Sequence, residues 1–148
     1  IINMHVPTGS MENTIMPGDR LIGNRLAYKK EGPKRGDVVI FHYPDNEEEL
    51  YVKRVIGLPG ETVDIDNGQI YIDGAETPLQ ENYLKETWTV ATGPYHFEVP
   101  EDSYLVMGDN RNDSWDARYW DNTYVHLDQI LGKGEVIYWP LQDFVKIE

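Results

Sequence analysis

The stretch RGDVVIFHYPDNEEELYVKRVIGLPG, Arg35 to Gly60, decides the fold class. Asp37–Tyr43 (DVVIFHY) is a continuous apolar run that reads as a buried strand. Pro44 stops it, and Asp45–Glu49 (DNEEE) is an exposed acidic loop. Leu50–Leu58 (LYVKRVIGL) is the next strand, closed by Pro59-Gly60. Short apolar runs bounded by turn residues are the signature of an all-β domain.

The same grammar extends in both directions. Upstream, Asp19–Tyr28 mixes Leu21, Ile22, Leu26 and Tyr28 with polar residues and reads as a strand, followed by the charged turn Lys29–Gly36. Downstream, Glu61–Ile65 and Gln69–Ile72 flank Asp66-Asn67-Gly68, where Asn-Gly permits the left-handed backbone of a tight hairpin. Tyr95–Val99, Ser103–Met107, Glu135–Trp139 and Phe144–Ile147 add further strands. Short helical turns are expected near Gln80–Leu84 and Val125–Ile130, and Gly108–Asn122 is a long polar loop. The expectation is one domain over residues 1–148, mainly antiparallel, with a less regular β and loop insertion at about 62–102.

Charge excludes some functions. Asp and Glu outnumber Lys and Arg 26 to 13, a formal charge of −13, which disfavours phosphate backbones and anionic lipid surfaces as partners. No nucleic-acid partner is expected. The absence of cysteine removes disulfides, thiolate catalysis and thiolate metal sites. No stretch approaches the roughly 20 apolar residues of a membrane span. The chain opens Ile1-Ile2-Asn3-Met4, as if in mid-strand, and the expectation is that an N-terminal segment precedes it.

Chemistry-bearing residues cluster in three places. Ser10, in VPTGSMENTIMPGD (Val6–Asp19), stands between glycine and methionine ahead of a Pro17-Gly18-Asp19 turn, as a nucleophile would. Lys53 and Arg54 lie side by side in the second strand, so one of them faces inward if that face is buried. Arginine cannot serve as a base, whereas a desolvated lysine can. The alternative is a solvated surface lysine. The four histidines, His5, His42, His96 and His126, form no metal-ligand pair, and packing or surface positions account for all of them. In the loop GDNRNDSWDARYW, Gly108–Trp120, Ser114 could orient a neutral amine while Asp116 and Arg118 pair. Asp109, Asp113 and Asp116 as metal ligands are disfavoured, because Arg111 and Arg118 compete for them; no metal or cofactor is expected.

Four boxes in order, TGSMENT around Ser10, RGDVVIF, YVKRVIGLPG and GDNRNDSWDAR, resemble the bacterial type I signal peptidases from Val6 to Pro140. The resemblance implies a signal-peptidase-like β-barrel or sandwich and a Ser-Lys protease that cuts N-terminal signal peptides from exported preproteins after small residues at −1 and −3. Ser10 is then the nucleophile and Lys53 the general base. Thr8 and the Ser10 amide form the oxyanion hole, and Ser114 hydrogen-bonds the base, with Asp116 and Arg118 as supporting pair. Substrate is expected to bind as an added strand, with Val6, Pro7, Met11, Ile15, Tyr51 and Val52 lining shallow apolar pockets, or else belonging to the core.

The family also implies an N-terminal membrane helix, with the catalytic domain on the extracytoplasmic face of the cell membrane. The short interval between the Lys53 and GDN boxes is closer to the smaller Gram-positive enzymes. Asn13 replaces a commonly found proline, and Thr8 a common serine. Two other readings compete: a self-cleaving Ser-Lys repressor-type protease domain, which would lack the GDNRNDSWDAR loop, and a non-catalytic β-barrel binding module.

Overall fold

A computed structural model describes all of residues 1–148. The protein is built from two antiparallel sheets. The larger has eight strands: β1 (Ile2–His5), β2 (Arg20–Asn24), β3 (Val38–His42), β4 (Leu50–Gly57), β8 (Ser103–Met107), β9 (Val125–His126), β10 (Ile130–Trp139) and β11 (Val145–Lys146). Its order is β1-β2-β10-β3-β4-β8-β9, with β11 alongside β10. The smaller sheet, β6-β5-β7, consists of β5 (Thr62–Asp66), β6 (Gln69–Ile72) and β7 (Tyr95–Glu98).

The continuous apolar run of β3 is explained by burial on both faces. Val39 and Phe41 enter a core cluster with Val55, Leu105, Met107 and the small-sheet residues Val63 and Ile65. Val38 and Ile40 enter a second cluster with Val6, Met11, Ile15, Leu21 and Val52. The second sheet therefore shares a core with the first. At the β5–β6 hairpin, Asn67 and Gly68 both have positive φ, 48° and 73°, as a two-residue turn matched to strand twist requires.

Several boundaries differ from the sequence expectation. β2 stops at Asn24, where the Asn24 side chain accepts from the Leu26 amide and starts a turn. Gln80–Leu84 is not helical: it has no regular secondary structure, and Glu81 is paired to Arg111. Val125–Ile130 divides into β9, a 3₁₀ turn at Leu127–Gln129 capped by His126, and the first residue of β10. β10 begins at Ile130, five residues earlier than expected, whereas β11 is only two residues long. No helix is long and apolar enough to cross a membrane.

β4 is the strand that positions the site. β3 pairs it from Leu50 to Arg54, but β8 joins its other side only from Arg54 to Gly57. The Leu50–Lys53 half therefore has a strand neighbour on one side only.

Candidate active site

Val6–Ser10 continues from β1 toward the open half of β4. The turn after it is fixed by local bonds: the Glu12 amide donates to the Gly9 carbonyl and the Ile15 amide to the Met11 carbonyl. Met11 and Ile15, fully buried, anchor it in the second core cluster. Across the gap, Lys53 Nζ stands 2.6 Å from Ser10 Oγ. Both residues are buried, at 4% and 6% exposure. Burial pushes the Lys53 amine down from 10.5 to about 8, against the opposing pull of Asp116 and Asp109. Its ammonium also sits 5.3 Å from the centre of the Tyr51 ring. No histidine is among the partners of Ser10; its side-chain contacts are Lys53 and the Thr8 hydroxyl, which is 3.5 Å away.

The polar loop holds this pair from behind. The Asn110 amide donates to the Ser10 carbonyl at 2.9 Å, and its side-chain amide donates to the Gly9 carbonyl at 2.9 Å. Gly108 lies between the Ser10 carbonyl and the Ser114 hydroxyl, so closely that a Cβ there would collide with both. Asp116 accepts two bonds from the Arg118 guanidinium, each at 2.9 Å, one from the Arg118 amide and one from the Gly108 amide. Arg118 also donates to the carbonyls of Arg111, Val90 and Ala91. This ion pair thus ties the two ends of the loop to each other and its Arg118 end to Val90 and Ala91, ahead of β7.

Both cations of β4 are buried, not one of two. Arg54, 2% exposed, is bidentate to Asp109 at 2.9 and 2.8 Å and donates to the carbonyls of Gly36 and Glu148. It also stacks 4.0 Å from the Tyr83 ring centre. Asp109 in turn accepts from the Thr14 hydroxyl on the turn that carries Ser10. The strand carrying Lys53 and the turn carrying Ser10 are therefore clamped through one carboxylate. Arg54, Asp109, Thr14 and Asn110 were not singled out for this from sequence. The available signal was a second cation, with no partner in sight, inside an apolar strand.

Two expectations change. Ser114, expected to hydrogen-bond the base, is buried with its hydroxyl making no hydrogen bond. The missing Cβ of Gly108 leaves room for it close behind the Ser10 turn. Met11 and Ile15 do not line a pocket, because the turn directs both into the core. A cavity of about 540 Å³ opens beside Ser10, walled by Val6, Pro7 and Thr8 on one side and Tyr51, Val52 and Lys53 of β4 on the other.

Residues 1–139 match the family described as signal peptidase, peptidase S26. The signal peptidase I of Leptolyngbya laminosa is 40% identical over 144 residues, 93% of this chain and 68% of that protein. Probable signal peptidase I-2 of Synechocystis is 39% identical over 93% of this chain and 62% of its own length. Signal peptidase IB of Staphylococcus aureus is 35% identical, covering 91% and 76%. A crystal structure of a signal peptidase I from Enterococcus faecalis V583 superposes with a TM-score of 0.56 at 35% identity, over 70% of this chain and 97% of that one. The chain spans between 62% and 76% of the length of these curated relatives. With the boxes in order and the family matched over nearly its whole length, the chain belongs to the bacterial type I signal peptidases of peptidase family S26.

Proposed function

We propose that Ser10 is the nucleophile and Lys53 the general base of a serine endopeptidase that removes signal peptides from preproteins, cutting after small residues at −1 and −3. The observation that carries this reading is the 2.6 Å approach of a buried lysine amine to a buried serine hydroxyl. Neutral Lys53 takes the Ser10 proton as Oγ attacks the scissile carbonyl, and the resulting oxyanion is met by the Ser10 amide and the Thr8 hydroxyl. Lys53 then gives its proton to the leaving amine. It next takes one from the water that attacks the acyl carbonyl, and returns it to Ser10 Oγ as the Oγ–acyl bond breaks and the acid leaves. Asp116 and Arg118 keep the loop behind Gly108 in place.

The half-paired stretch of β4 supports substrate binding as an inserted strand between Leu50–Lys53 and Val6–Thr8. Val6, Pro7, Tyr51 and Val52 offer the apolar surface for small side chains. The family supports action at the cell membrane, with the catalytic domain facing away from the cytoplasm. Incubation with a preprotein bearing an Ala-x-Ala site is expected to give one cut after the second alanine. Intact substrate after exposure to folded protein would overturn the reading.

Two further expectations follow from the same geometry. Only neutral Lys53 can accept a proton, so kcat/KM should rise with pH through about 8 and level off above it. An acidic optimum contradicts a lysine base. Thr8→Val keeps the branched shape but removes the hydroxyl, and kcat should fall about 10²- to 10³-fold, as for other lost oxyanion donors. Thr8→Ser should retain activity; equal activity of Thr8→Val would remove Thr8 from the oxyanion site.

A further inference from the structure

The cavity continues past the reacting pair. Along β4 its lining runs from Lys53 to Glu49, about 13 Å at the usual strand rise of about 3.3 Å per residue. The GDNRNDSWDAR loop adds Asp113 and Trp115 to the same lining.

The carboxylates of Glu49 and Asp113 are exposed and enter none of the side-chain hydrogen bonds or ion pairs of the protein. Of the other acids of the same loop, Asp45 accepts from Asp121 and Asn122, Glu47 accepts from Gln129, and Glu48, unpaired like Glu49, does not line the cavity. Lys85, whose charge reaches Asp113, is committed to Glu12 at 2.8 Å and lies 3.9 Å from Glu86. The only cation lining the cavity is Lys53, which is turned to Ser10.

Trp115 is held in place yet open. Its indole N–H donates to the Tyr43 hydroxyl at 2.8 Å and its ring stacks on Tyr119 at 5.4 Å, while 53% of the residue remains exposed. An ordered indole beside two free carboxylates is complementary to an ammonium or guanidinium group, through the negative face of the ring and direct charge attraction.

We propose that Glu49, Asp113 and Trp115 form a subsite for a cationic side chain of the substrate, a lysine or arginine three to five residues from the scissile bond, on the side toward which the Leu50 end of β4 points. This rests on the Ser10–Lys53 reading above. It makes charge near the cleavage site, beyond the small residues, a determinant of which preproteins are cut fastest.

The test uses Ala-x-Ala peptides carrying Lys, Gln or Glu in turn at three to five residues on either side of the scissile bond. The expected order of kcat/KM is Lys, then Gln, then Glu, on one side only. The span should be about tenfold, carried mainly by KM and shrinking at high salt, as for exposed charge pairs assisted by an aromatic face. In the doubly substituted Glu49→Lys/Asp113→Lys protein the order should reverse. Equal rates for the three peptides, or a lysine preference that survives the double substitution, would overturn the subsite. Failure to cleave any peptide would instead overturn the peptidase reading on which it rests.

Discussion

Lys53→Met is expected to lose cleavage while gaining stability. A thioether cannot accept the Ser10 proton, so the rate should fall by about 10² to 10⁴, the usual contribution of a positioned general base. The stability change follows from the displaced titration of the amine. Lysine in the unfolded chain titrates near 10.5, but in the folded protein burial brings it to about 8. The unfolded state thus binds more protons between these values, and folding stability rises with pH across that window. Below pH 8 the folded protein bears the whole cost of a buried charge. A displacement from 10.5 to about 8 corresponds to about 3 kcal/mol. Methionine, of similar reach and apolar, should recover most of this below pH 8 and little above pH 10.5. Denaturant unfolding at several pH values, beside a peptide-cleavage assay, checks both halves. A Lys53→Met protein that still cleaves would remove Lys53 as base, and one without a pH-dependent gain would contradict the buried ammonium.

Asp109→Ala should be the most damaging single change to the scaffold. It leaves Arg54, 2% exposed, without its carboxylate and the Thr14 hydroxyl without its acceptor. Removing one partner of a buried ion pair costs about 3–5 kcal/mol, because the remaining charge stays desolvated. The Gly36 and Glu148 carbonyls and the Tyr83 ring still face the guanidinium, which places the expected loss toward the lower end. Activity should fall too, since the same carboxylate links the β4 strand to the nucleophile turn. Combining Asp109→Ala with Arg54→Met should cost less than the two single losses added together. Additive losses would show that the pair is not acting as a unit.

The sequence made the strands legible wherever apolar runs met strong punctuation. Pro44, Pro59-Gly60 and Asn67-Gly68 bracket β3, β4 and the β5–β6 hairpin within a residue or two. It was less informative where tertiary contacts decide. The irregular course of Gln80–Leu84 goes with the Glu81–Arg111 pair, 30 positions apart, which no local pattern signals. Met11 and Ile15 were expected to line pockets but lie in the core, because whether an apolar side chain beside a serine faces substrate or core depends on how the turn is wound. The convergence of Ser10 and Lys53 across 43 positions was legible only through the order of the four boxes. The Arg54–Asp109–Thr14 clamp needed coordinates, because a buried arginine is recognisable only once its partners are in view.

The incomplete pairing of β4 also defines what could silence this protein. A strand edge beside the proposed nucleophile Ser10 presents backbone donors and acceptors to any extended molecule of the right length. A good inhibitor would therefore have a stiff, strand-like backbone with an electrophilic carbon set over Ser10, and its side chains would matter less than its main chain. Methylating alternate amide nitrogens would abolish such an inhibitor's grip without altering its shape appreciably. Resistance by point substitution would be hard to acquire along that edge, because a side-chain change leaves the main-chain groups that hold the drug in place.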